Sequence, residues 1–172
     1  SFKDYCSNGI QIEGCRRIKR LLTGVTANLA LLDAAIALQA DAIIVHHGYF
    51  WRNEPATLTG MRHQRVKRLL INDINLFAFH LPLDAHPALG NNVQLGQRLG
   101  LTIHAHFGAQ DLAVYCDLPV PIKLTELIER VDQTLHRPAQ VFGVSDPKEQ
   151  PALQRVAWCS GAAQNYFESA IM

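Results

Sequence analysis

Two hydrophobic periods alternate along this chain. Ile18 to Thr26 reads as a first strand. Asn28 then caps a helix that runs to about Gln39, with Leu31, Leu32, Ala35 and Leu38 on one face. Ala42 to Val45 is a short, continuous apolar run, the pattern of a buried parallel strand, and His46-His47-Gly48 follows at its end. A loop with Pro55 and Gly60 leads into a basic amphipathic helix from about His63 to Asp73. Val66, Leu69 and Leu70 form its apolar face; Arg62, Arg65, Lys67 and Arg68 form its wet side. Asn75 to His80 is another buried strand, ending at Leu81-Pro82-Leu83-Asp84. The alternation continues with a helix from Ala88 to Leu99, stopped by Gly100, and an antiparallel pair at Leu101–His106 and Leu112–Cys116. Thr125 caps a helix to His136, short strands follow at Val141–Val144 and Arg155–Cys159, and Ser160-Gly161 turns into a helix through Met172. Strand and helix signals in this order predict an α/β fold, with mixed sheets flanked by helices.

Composition narrows the function classes. A chain of 172 residues predicts one domain, and 48% apolar residues suffice to fill its core. With 16 Lys and Arg against 15 Asp and Glu, the net charge of +1 gives no general attraction to nucleic acid or an anionic membrane. There is no run of 18 apolar residues for a membrane-crossing helix. The four cysteines are scattered without a C-x-x-C pair, which fits reduced thiols and a cytoplasmic location better than a zinc ribbon or redox motif. Phosphate-cradle, dinucleotide and nucleophile-elbow signatures are missing.

Histidine is the unusual component, at 8 residues. In open α/β sheets, ligands bind beyond the carboxyl ends of the strands. His46-His47 stands at one such end, and His80 with Asp84 at the next. A single crossover helix makes those strands neighbours or near neighbours, so both ends face one crevice. Two imidazoles and a carboxylate suit zinc, iron, manganese, nickel or cobalt. A regular strand sends adjacent side chains to opposite faces, but a bend at the strand end, eased by Gly48, changes that. The pair then serves two metals, or one metal and one outer contact. His80 is a third ligand, the orienter of a carboxylate, or equally a satisfied core histidine at the strand end. Tyr49 and His80 are the candidates for a general acid or base. His104 and His106 read as structural, His63, His86 and His136 as surface or cap positions, and Phe50-Trp51 as core anchors or a stacking wall. Asp4 to Gln11 is polar and turn-prone, with Asn8-Gly9 as a hairpin or tight-turn signal.

Asn8-Gly9-Ile10-Gln11, Ile43-Ile44-Val45-His46-His47-Gly48-Tyr49-Phe50-Trp51 and Phe79-His80-Leu81-Pro82-Leu83-Asp84, in that order, resemble a dinuclear metal-centre family. This is the GTP cyclohydrolase I type 2, or Nif-three-like (Ngg-one-interacting factor three), family, and the YbgI type is its close bacterial form. Gly90-Asn91-Asn92 through Leu101 and the Trp158-Cys159-Ser160-Gly161 turn extend the likeness over nearly the whole chain. The resemblance implies a Nif-three-like α/β fold, two divalent metal ions, and a ring-shaped homohexamer. It implies His46, His47 and Asp84 as metal ligands; the two oxygens of a carboxylate make Asp84 the expected bridging one. It also implies a hydrolase or cyclohydrolase acting on a purine nucleotide such as GTP through a metal-bridging hydroxide, or else a non-catalytic oligomeric scaffold. The remaining family ligands are a His and a Glu four residues apart in a C-terminal segment. Glu168 has Gln164 at that spacing, so the chain is expected to be a fragment lacking an N-terminal helix and that ligand segment.

Overall fold

The computed structural model describes residues 3–171 and divides into two units, Ser1–Leu83 and Asp84–Met172. In the first unit, β2 (Leu21–Thr26), β3 (Ala42–His47) and β4 (Asn75–Ala78) are parallel neighbours. β1 (Gly9–Ile12) adds antiparallel to β4, giving the order β1-β4-β3-β2. Helices α1 (Leu29–Ala37) and α2 (Gly60–Ile71) make the crossovers. Such crossovers let β2, β3 and β4 run the same way, so their carboxyl ends share one edge.

The local signals act as expected at several points. The Asn28 side chain accepts from the Leu31 amide at 2.9 Å and starts α1. Leu32, Ala35, Ile43, Val45, Val66, Leu69 and Leu76 fill one core. The buried Asn75 is fully employed: its Oδ1 accepts from the Gly14 amide at 2.9 Å, and its Nδ2 donates to Cys15 O at 2.9 Å and Asp41 O at 3.1 Å. That is how a polar side chain survives at 3% exposure.

The second unit holds α4 (Asn91–Arg98), β5 (Ala105–Phe107), β6 (Ala113–Ile122), α5 (Leu124–Leu135), β7 (Leu153–Trp158) and α6 (Phe167–Ile171). The short α3 (Leu81–Asp84) precedes them at the unit boundary. β5, β6 and β7 form an antiparallel sheet in chain order. Leu99, Leu101 and Cys116 are its buried core, with Leu95, Val131 and Trp158 packed against them. Buried Asn92 ties the unit together, donating to Leu112 O at 2.7 Å and accepting from the Ser160 amide at 2.6 Å.

Four expectations are corrected. Leu38 and Leu70 are 52% and 53% exposed rather than on the buried helix faces, because Leu38 is already the C-cap of α1 and the core stripe of α2 is narrowed to Val66 and Leu69. Val141–Val144 is not a strand: Gly143 turns at φ +83° and Phe142 is left exposed, without a strand partner among the described residues. β1 replaces the turn read at Asn8-Gly9; Gly9, at φ +97°, is the first residue of the strand rather than the apex of a hairpin. The final helix is broken, with a 3₁₀ turn at Gln164–Tyr166 ahead of α6, and Met172 lies outside the described residues.

Candidate metal centre

β3 stays paired through its last residue, with Thr26 opposite His47, while β4 ends at Ala78 opposite Val45. The parallel register therefore sets His46, His47 and His80 at the same edge of the sheet. Their rings meet: the centroids lie 4.4 Å apart for His46–His47, 4.9 Å for His46–His80 and 5.7 Å for His47–His80. One nitrogen from each falls within 4.8 Å of the others. The His pair thus does not diverge to opposite faces, as two residues of a regular strand would. Gly48 sits where a Cβ would come within 2.2 Å of Gln11 Oε1 and 2.7 Å of Ala78 Cβ. Gln11 Oε1 in turn accepts from the Tyr49 amide at 2.6 Å, fixing the chain just beyond the pair.

The hydrogen bonds around the rings settle which nitrogen carries a proton. His46 Nδ1 lies 3.0 Å from Phe79 O, which can only accept, so Nδ1–H donates. His80 Nδ1 lies 2.7 Å from the carboxylate of Asp4 and donates likewise. Both rings then keep their lone pair on Nε2, the arrangement of a metal-ligating histidine whose other nitrogen is held by an acceptor. His47 Nδ1 is 3.3 Å from Thr26 Oγ1. Trp51 covers the group, its ring 5.0 Å from His80 and 5.9 Å from His47, and its Nε1 donates to Gly48 O at 3.3 Å.

Asp4 is the site residue that sequence reasoning missed. Its side chain is 4% exposed. Beyond His80 it accepts from Asn8 Nδ2 at 2.8 Å, the Leu81 amide at 2.9 Å and the Tyr5 amide at 2.6 Å. Burial alone would raise its pKa, but the donors from Asn8, His80, Leu81 and Tyr5 outweigh burial and hold the carboxyl at about 2. Asn8 Oδ1 also accepts from the His80 amide at 2.7 Å, so Asp4 and Asn8 together clamp the turn after β4. The turn-prone composition of this segment was its one visible signal.

The unfolded Asp4 carboxyl titrates near 3.8 and the folded one near 2. The depressed group therefore stabilises the fold fully above about pH 4, and the gain vanishes as pH falls through about 2. Urea unfolding of metal-free protein should show Asp4→Asn less stable than the parent at pH 6, with the gap closing between pH 4 and 2. A gap independent of pH would contradict this assignment.

Among the described residues, Asp4, Cys6 and His80 form a second group with metal-type atoms within 4.8 Å. Burial, then the neighbouring Asp4 charge, push the Cys6 thiol up to about 11, so it stays protonated and is a poor ligand in the metal-free chain. The three imidazoles are the better cation site. Asp84 is in neither group; it ends α3, and its carboxylate accepts from Asn91 Nδ2 at 2.6 Å.

Other expectations change with the geometry. Tyr49 is no general acid or base: it is buried, its hydroxyl donates to Ala27 O at 2.8 Å, and burial pushes its pKa to about 12. Arg62 and Arg65 are not simply a wet face, because both line a cavity with His47. Arg68 pairs with Asp33 at 3.2 Å. Among the described residues, none of the remaining histidines falls in a group of metal-type atoms. His104 and His106 bond to Asp117 and to the Asp111 carbonyl, His86 Nδ1 accepts from the Ala88 and Leu89 amides, and His136 is the left-handed C-cap of α5.

Comparison with known proteins agrees with the fold. The chain is 48% identical over 170 residues to a Yersinia pestis protein named GTP cyclohydrolase 1 type 2 homolog, and 46% identical to one of the same name from Vibrio cholerae. These matches cover 99% and 98% of this chain and 67% of each relative. The solved structure of protein ybgI superposes with a TM-score of 0.90 at 46% identity, over 98% of this chain and 66% of that one. The chain thus spans about two thirds of the length of the relatives it matches. The family description Duf34/NIF3 (NGG1p interacting factor 3) matches residues 1–172, and the chain belongs to that family.

Proposed function

We propose that this chain carries the histidine side of a two-metal centre in a metal-dependent hydrolase that acts on a purine nucleotide such as GTP. The observation that carries the reading is the convergence of His46, His47 and His80 with two Nδ1 atoms fixed on acceptor oxygens. His46 and His47 are the proposed ligands. Asp84 keeps the bridging role expected from its two carboxylate oxygens, and His80 is a further ligand or an orienting neighbour. The donor set of imidazole and carboxylate suits zinc, iron, manganese, nickel or cobalt. Bound divalent ions supply Lewis acidity and lower the pKa of water.

The chain's own contribution is positioning. Phe79 O and Asp4 fix the ring tautomers, Thr26 steadies His47, and Trp51 shields one side of the cluster from water. The cyclohydrolase chemistry is suggested by the name of the relatives, and a ring-shaped homohexamer by the resemblance of the sequence.

The test is metal content and turnover of the full-length protein. The parent, reloaded with each metal in turn, should hold metal by elemental analysis and change the absorbance of GTP. His47→Ala and Asp84→Ala should each lose bound metal. Unchanged metal content in both variants would remove the site. Retained metal without GTP turnover would remove the hydrolase and leave a metal-binding scaffold.

A further inference from the structure

His47 also lines a cavity of about 460 Å³, together with Thr26, Trp51, Thr59, Arg62 and Arg65. Arg62 and Arg65 both line this space, and among the described residues Glu54 is the only carboxylate in its wall and is ion-paired to Arg62. Arg65 is different. Its Nε is buried and finds no hydrogen-bond partner among the described residues. A buried guanidinium N–H without an acceptor is costly, and native proteins rarely leave one. Arg65 also lines the cavity and forms no ion pair among the described residues, which leaves its charge for an anionic ligand there. The start of α2 adds to this, since Thr59 at its N-cap makes no side-chain capping bond and the helix dipole there favours negative charge.

The ligand's chemistry follows from the wall. A planar guanidinium fork matches the oxygens of a phosphate. The volume lies in the range of pockets for small organic molecules, well beyond a lone inorganic anion. Trp51 offers an aromatic surface in the same cavity, and His47 joins the cavity to the histidine cluster. We propose that this cavity holds the phosphate group of an organic phosphate, with Arg65 as its principal residue and Arg62 as the second. As a substrate subsite, the cavity rests on the hydrolase reading above. As an anion site it stands without metal, so the two can fail separately.

The experiment uses metal-free protein and isothermal titration, with Trp fluorescence as a second readout. Guanosine 5′-monophosphate and ribose 5-phosphate are the phosphate-bearing probes, and guanosine is the neutral one. Both phosphates should bind, and guanosine should bind at least about 10-fold more weakly. Arg65→Ala should weaken both phosphates by about 10- to 100-fold, the worth of one charge-assisted contact, and leave metal content unchanged. Arg65→Lys, which keeps the charge but not the fork, should fall between. Lys67→Ala, outside the cavity wall, should match the parent. Thermal unfolding of each variant checks the fold, and Arg65→Lys stands in should Arg65→Ala not fold. Equal affinity for guanosine and its monophosphate, no binding of either phosphate, or parental affinity in folded Arg65 variants would overturn the proposal. Phosphate binding that depends on Arg65 in a protein that turns over no nucleotide would sink the hydrolase reading alone.

Discussion

Leu76→Ala will destabilise the first unit by about 2–5 kcal/mol, whereas Leu70→Ala will change stability by no more than about 0.5 kcal/mol. Leu76 is fully buried at the middle of β4, opposite Ile12 of β1 and Ile43 of β3. Truncation removes its transfer free energy and leaves a cavity that two flanking strands cannot easily close. Leu70 stands 53% exposed on α2 and makes no such contribution. Urea unfolding gives both values directly. Thermal unfolding should separate the two variants by about 5 °C or more for a chain of this size. The contrast is informative because helical periodicity assigns Leu70 to the same apolar face as Val66 and Leu69. A loss below about 1 kcal/mol for Leu76→Ala would mean that β4 is not the central strand. Since β4 ends just before His80, the same variant should also loosen the histidine cluster.

The elements that were legible in the sequence are those whose signal is local. The Asn28 cap, the apolar runs that become β3 and β4, and Gly100 after α4, at φ +68°, each state their role within a few residues. His46, His47 and His80 were legible too, because a strand end in a parallel sheet is a known place for ligands. β1 was not: its four residues pair with β4, far along the chain, and a Gly-led strand looks like a turn. Asp4 was hidden for the same reason, since its partner His80 is 76 positions away. Periodicity assigns Arg62 and Arg65 to a solvated face because it describes a helix and not the loop beside it. Residues Glu54, Pro55 and Thr57 of that loop help wall the cavity that both arginines line. Val141–Val144 failed in the opposite direction: local β-propensity was present, but no neighbouring strand among the described residues supplied the hydrogen bonds a strand needs.

Asp4→Ala will lower the affinity of the protein for zinc by about 10- to 100-fold, although Asp4 is not itself among the proposed ligands. Its carboxylate accepts from His80 Nδ1 at 2.7 Å and from the Leu81 amide at 2.9 Å. Removing it frees the imidazole to rotate and to move its proton to the other ring nitrogen, which takes the lone pair away from the cluster. It also leaves the Leu81 amide and the Asn8 side chain without their acceptor, so the turn that carries His80 loses two anchors. Asp4→Asn should recover only part of the affinity. A carboxamide offers one acceptor oxygen where the carboxylate serves donors on both: His80 and Tyr5 on Oδ1, Asn8 and Leu81 on Oδ2. His63→Ala, on the exposed side of α2, should leave affinity unchanged. Competition with a chromophoric chelator at pH 7 measures all three variants. Parental affinity in Asp4→Ala would show that His80 needs no orienting partner, and the cluster would then reduce to His46 and His47. A loss confined to Asp4→Ala and Asp4→Asn, with the fold intact by thermal unfolding, would place the carboxylate behind the histidine as its positioning residue.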